Sequence, residues 1–321
     1  MELNQVAIAD DHELRVQTIS QGKLTWVYIE KPTEAEAQFL AETYGFHPLE
    51  IDDVLSRAQR PKLDEDDDHL FIVMQFPVFN KTNRITRPSE VDIFIGENYV
   101  VTVHCSGDLR PLSKFFQECQ TRDESRAAYL GRSSGYLLYH IIDRLVNYCI
   151  PILNRITENI EGLEDLVFTE SVPETVRSIS LLRRDLISFR RVIRPQISVI
   201  ETLEQEDYPF FKEEQEVYFG DIADQFRKIW DGLEDCKEVV DGLYETSNWF
   251  TSHRIQEIMR VLTIITVILA PLTLLSGIYG MNVPLPGGAE HGSMASFLGI
   301  LALMSATGIA MLAFLRHRHW I

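Results

Sequence analysis

Two stretches of this chain carry no charged side chain, Val261 to Met281 and Met294 to Leu315. As helices each covers roughly 30 Å, the thickness of a hydrocarbon core, where a backbone survives only if its polar groups are paired internally. The twelve residues between them, Asn282 to Ser293, hold three glycines and two prolines and read as a tight external turn. The end of the chain is therefore read as a membrane hairpin.

Flanking charge gives that hairpin a direction. Arg254 and Arg260 precede the first run, and Arg316, His317, Arg318 and His319 follow the second. Lys and Arg remain on the cytoplasmic side, so both ends of the hairpin are expected in the cytosol. Met1 to Asp10 is short, mixed and acidic, unlike a signal peptide. The first 250 residues are accordingly expected to be cytosolic. Cys105, Cys119, Cys149 and Cys236 are scattered without C-x-x-C spacing and read as reduced core residues.

Charge is as lopsided as hydropathy. Residues 251–321 hold four Lys/Arg and two Asp/Glu, which leaves 26 basic and 46 acidic residues, a net of −20, in the first 250. Such a field repels nucleic acid and attracts cations.

The first 130 residues alternate short strands and helices. Leu24–Ile29, Leu70–Phe79, Val91–Ile95 and Tyr99–His104 are rich in β-branched and aromatic residues. Thr33 with Glu36 forms a capping box for a helix over about 33 to 44. From about Ser133 the pattern becomes helical, over 133–170, 174–206 and 212–280, with Pro173 and Pro209 at the breaks. Pro195 predicts a kink or an early end in the second helix. The resulting division is an α+β cytosolic domain (1–130), long antiparallel helices (131–211), a stalk helix (212–260), a first span (261–281), an external loop (282–293), a second span (294–315) and a basic tail (316–321). The run Asp64 to His69 fails the EF-hand pattern, because its sixth position is His69 rather than glycine, and reads as a solvated loop before a strand.

One line along the first span departs from its Leu, Ile and Val surroundings. Gln256, Met259, Thr263, Thr266, Ala270, Thr273 and Gly277 follow at alternating steps of three and four, one face of a helix. Lipid rewards no hydroxyl, so this face looks inward, either to close helix packing or to a water-lined pore built from several copies. The span ends on Tyr279-Gly280-Met281-Asn282. A neutral amide oxygen suits Mg²⁺, which prefers six oxygens and dehydrates reluctantly.

Here the sequence resembles the CorA family of magnesium and cobalt transporters, whose signature is this Gly-Met-Asn tripeptide. Trp26–Ile29, His47–Leu55, Gln59–Lys62 and Tyr218–Asp221 also look like family stretches. The resemblance implies a homopentameric, funnel-shaped channel in the cell inner membrane, not an enzyme, with the first spans around the pore. It implies a selectivity filter of Gly280, Met281 and Asn282, and a hydrophobic constriction at Met259 and Leu262. It also makes Mg²⁺ both cargo and regulator, bound between subunits by Asp53 and Asp221, with Asp52 beside them and Asp143 as a further member. Position 256 is Gln where the family usually has Asn, and position 270 is Ala in place of a larger apolar residue. The external loop lacks the usual Met-Pro-Glu-Leu continuation, leaving Glu290 as its sole carboxylate to concentrate cations. Two other readings stand beside this one: a proton-coupled zinc transporter of the same superfamily, and a membrane-anchored cytosolic sensor or scaffold.

Overall fold

The computed structural model describes residues 14–56, 59–104, 108–169, 172–208, 211, 215–281, 294–318 and 320, which form two compact units, residues 1–244 and 245–321.

The first unit is built on a six-stranded sheet: β1 (Val16–Gln21), β2 (Leu24–Glu30), β3 (Lys62–Glu65), β4 (Leu70–Asn80), β5 (Ile85–Ile95) and β6 (Tyr99–His104), in spatial order β1-β2-β6-β5-β4-β3. Only β2 and β6 run parallel; the other pairs are antiparallel. Helices cover both faces, which is why the central strands are almost uniformly apolar rather than alternating. On one face Val27, Ile29, Phe71, Val73, Phe94, Val101 and Val103 meet Leu40 of α1 (Glu34–Tyr44) and Val54 of α2 (Pro48–Leu55). On the other, Trp26, Tyr28, Ile72, Met74, Ile93 and Val100 join a larger core with α3 (Arg110–Thr121), α4 (Asp123–Leu130), α5 (Ser134–Thr169), α6 (Val172–Gln205) and the first part of α7 (Gln215–Tyr279).

Local chemistry fixes the helix ends. The Thr33/Glu36 capping box opens α1, and Gly45 closes it in the left-handed region, φ 73°, where a side chain would be strained. His47 and Glu50 form a second capping box at the start of α2, which has Pro48 in its first turn. The early end expected at Pro195 does not occur, since α6 continues to Gln205. Proline removes one backbone donor there, and the Gln196 side-chain amide donates to the Val192 carbonyl at 3.1 Å on the same turn. The Asp64–His69 reading is also corrected. Asp64 and Glu65 belong to β3, which pairs with β4, and His69 is buried. Cys119, Cys149 and Cys236 are free and buried; Cys105 lies outside the described residues.

In the second unit, α7 continues to Tyr279 and α8 runs over Met294–His317. Both contain windows long and apolar enough to cross a membrane, and those windows are almost wholly uncovered in the protomer. The Arg260 Nε donates to the Trp320 carbonyl at 2.7 Å, so the residue before the first apolar run and the end of the chain meet. The two apolar segments therefore start and finish on one side.

Candidate cation pathway and carboxylate sites

Along α7, Gln256, Met259, Leu262, Thr266, Ala270, Thr273 and Gly277 are exposed, Thr263 less so, while Ile264, Val267, Ile268, Leu272 and Leu275 are partly covered. Ile258, Ile265, Leu269 and Leu274 are exposed as well, so polarity rather than exposure distinguishes the line read from the sequence. The hydroxyls of Thr263, Thr266 and Thr273 donate to the carbonyls of Met259, Leu262 and Leu269 at 2.7, 2.8 and 2.9 Å. Their donors are spent inside the helix, and the face presents hydroxyl oxygens as acceptors, the polarity a hydrated cation needs.

At the end of this face Gly280 donates its N–H to the Ser276 carbonyl at 2.9 Å. A Cβ at 280 would sit 2.9 Å from that same oxygen, so glycine permits this tight finish. Met281 is half exposed. Asn282 and Glu290 lie outside the described residues.

The four carboxylates named from the sequence fall into two pairs. Asp143 on α5 and Asp221 on α7 come together through Gln225, whose Nε2 donates to Asp143 Oδ1 at 3.3 Å and to Asp221 Oδ2 at 2.8 Å. Asn147 Nδ2 also donates to Asp143 Oδ1, at 2.9 Å. Burial pushes the nearby Tyr139 phenol up, and Asp143 and Asp221 push it the same way. Asp52 and Asp53 lie on α2, with Asp52 exposed and Asp53 accepting from Lys62 Nζ at 2.8 Å. Lys62 also holds Asp64 in a short contact. Burial works against the Lys62 ammonium, but Asp53 and Asp64 outweigh it and keep it above the usual lysine range.

The topology separates the pairs. Ile51 and Val54 of α2 face one core, whereas Ile141, Ile142, Phe219 and Ile222, around Asp143 and Asp221, face the other. One pair lies in the layer above the sheet and one in the layer below, so an ion shared by both pairs would have to lie between two copies of the chain.

Sequence reasoning missed Asp92. It lies on β5 between Val73 and Val103, in the α1/α2 layer, and neither carboxylate oxygen finds a hydrogen bond among the described residues. Burial raises its pKa well above the ordinary carboxylate value; Glu90 and Asp53 add to the rise and Lys62 opposes it. The signal was a lone acid inside the apolar run Val91–Ile95. Lys62 stood inside a quoted stretch, but nothing in its spacing showed that it would reach Asp53.

Residues 21–317 match the CorA-like Mg²⁺ transporter protein family. The chain belongs to the CorA family. Its members are divalent-cation transporters and not enzymes, which sets aside the anchored-sensor reading. The cobalt/magnesium transport protein CorA of Thermotoga maritima is 29% identical over 92% of this chain and 83% of its own length. The zinc transport protein ZntB of Yersinia enterocolitica is 21% identical, over 92% and 88%. The complete structure of the CorA magnesium transporter from Methanocaldococcus jannaschii superposes with a TM-score of 0.81 at 24% identity, covering 94% of each chain, a likeness of fold.

Proposed function

We propose that this CorA-family chain forms a homopentameric channel in the cell membrane that admits Mg²⁺, with Co²⁺ and Ni²⁺ as further passengers, down the membrane potential. Residues 261–281 and 294–315 cross the bilayer, 282–293 join them outside, and both termini lie in the cytosol. A divalent ion crossing 100 mV gains roughly 4.6 kcal/mol, so no other energy source is needed. The observation that carries this reading is the line from Gln256 to Gly277, whose threonine oxygens face outward as acceptors along an otherwise apolar span. Five such faces around an axis line a wet passage, narrowed by Met259 and Leu262 and mouthed by Asn282 with Gly280 and Met281 behind it. A side-chain amide ring holds a hydrated ion without trapping it, as a carboxylate ring would.

Regulation follows from the two carboxylate pairs. Mg²⁺ held between Asp52/Asp53 of one subunit and Asp143/Asp221 of the next neutralises their repulsion and keeps the channel shut. Depletion releases the ion, and the acidic faces part. These oxygen-only sets suit Mg²⁺.

Protein in liposomes should admit Mg²⁺ down its gradient, and Asn282→Ala should abolish the flux. Uptake by that variant at the wild-type rate would overturn the pore assignment. The ZntB likeness favours one second reading, proton-coupled Zn²⁺ transport. Zn²⁺ flux that requires a pH gradient, with no Mg²⁺ flux, would establish it.

A further inference from the structure

The first turn of α2 and the turn between β3 and β4 converge on three potential metal donors. Glu50, Asp66 and His69 each offer a ligand atom, and these atoms all lie within 4.8 Å of one another. His69 Nε2 stands 3.0 Å from Glu50 Oε2. Two donors at about 2.0–2.2 Å from a shared metal ion stand near this separation when the angle between them is roughly 90–110°.

The arrangement is held before any ion arrives. His69 is buried, with its ring 4.8 Å from that of Phe46 and 6.0 Å from that of Phe94. Its carbonyl accepts the Asp66 N–H at 2.9 Å, which fixes the turn carrying the third ligand. Glu50 is buried and accepts the His47 N–H at 3.1 Å as part of the α2 capping box, so its carboxylate cannot swing away. Asp66 is exposed, which leaves one side of the cluster open to water and to an entering ion.

A His–Glu pair alone would satisfy His69 and Glu50. Asp66 stands beside that pair, its ligand atom within 4.8 Å of theirs, while its Oδ1 accepts the Asp67 N–H at 2.8 Å.

We propose that Glu50, Asp66 and His69 form a site for one borderline first-row divalent cation per subunit, of the Co²⁺, Ni²⁺ or Zn²⁺ class, completed by water. An imidazole nitrogen with two carboxylates suits these ions, whereas Mg²⁺ seeks oxygen alone. Its Glu50 lies in the same helix as Asp52 and Asp53, but the site has a different chemical preference.

Full-length protein in detergent, titrated with Co²⁺ in a large excess of Mg²⁺, provides the test. A visible d–d absorption band should grow to one equivalent per subunit and be displaced by Zn²⁺. Asp66→Ala, which alters an exposed side chain, and His69→Ala should each weaken this binding about 10- to 100-fold. An unchanged thermal midpoint for Asp66→Ala shows that the fold survives. No band in the wild type, its displacement by Mg²⁺, or its persistence in a folded Asp66→Ala protein would each overturn the site.

Discussion

Asp92 shows what one misplaced charge does to a sheet. Its carboxyl sits among valines with no donor to meet it among the described residues, so ionisation inside the protein is penalised first by lost hydration and then by Glu90 and Asp53. With the folded pKa raised, the protonated acid is tolerated below the unfolded value of 3.8, and stability is lost as pH climbs through the folded value. Asp92→Asn should therefore raise the thermal midpoint, and the gain over wild type should widen with rising pH across that window. A pH-independent difference would refute this account. Lys62 makes a second residue-scale prediction, because it occupies the carboxylate that a regulatory ion would use. Lys62→Gln removes a competitor worth about 1 kcal/mol, so half-maximal protection from protease should need roughly fivefold less Mg²⁺. None of this was legible from composition. Asp92 and Lys62 lie 30 positions apart, and only pairing across β3, β4 and β5 puts them in one row.

At the scale of elements, legibility followed burial. β2, β4 and β6 announce themselves because helices cover both their faces and fill them with apolar residues. The strands that the sequence hid are the edges, β1 (VQTISQ) and β3 (KLDE). An edge strand gains from charge and polarity, which discourage pairing with another chain, so its composition imitates a loop. The helix face from Gln256 to Gly277 was readable because period alone defines it, yet period could not separate wet pore from dry contact. Substituting Thr266→Val and Thr273→Val together keeps volume and removes the acceptor oxygens. Mg²⁺ flux through pentamers of this variant should fall by about tenfold with assembly unchanged on size exclusion, since losing acceptors worth about 1.4 kcal/mol costs one decade. Undiminished flux would assign the stripe to packing.

The whole molecule combines an acidic first 250 residues of net −20 with two uncharged apolar runs, and the imbalance has a mechanical side. On the proposed regulation, chelating Mg²⁺ should open the acidic first units to protease. Moderate NaCl should restore part of the protection by shortening the reach of like-charge repulsion to about 8–10 Å. Asp53→Asn and Asp221→Asn should each resemble the chelated state at Mg²⁺ levels that protect the wild type. If neither differs from wild type, these two carboxylates hold no regulatory ion. Sequence motifs named the four acids but not their sidedness, because which layer a helix joins is a property of topology. If the four acids share an ion between subunits as proposed, that sidedness shapes assembly. A subunit whose two half-sites point opposite ways meets its neighbour head to tail, and an open row would leave one half-site idle at each end. A closed ring leaves no half-site idle, so an ion shared as proposed favours closure over an open row.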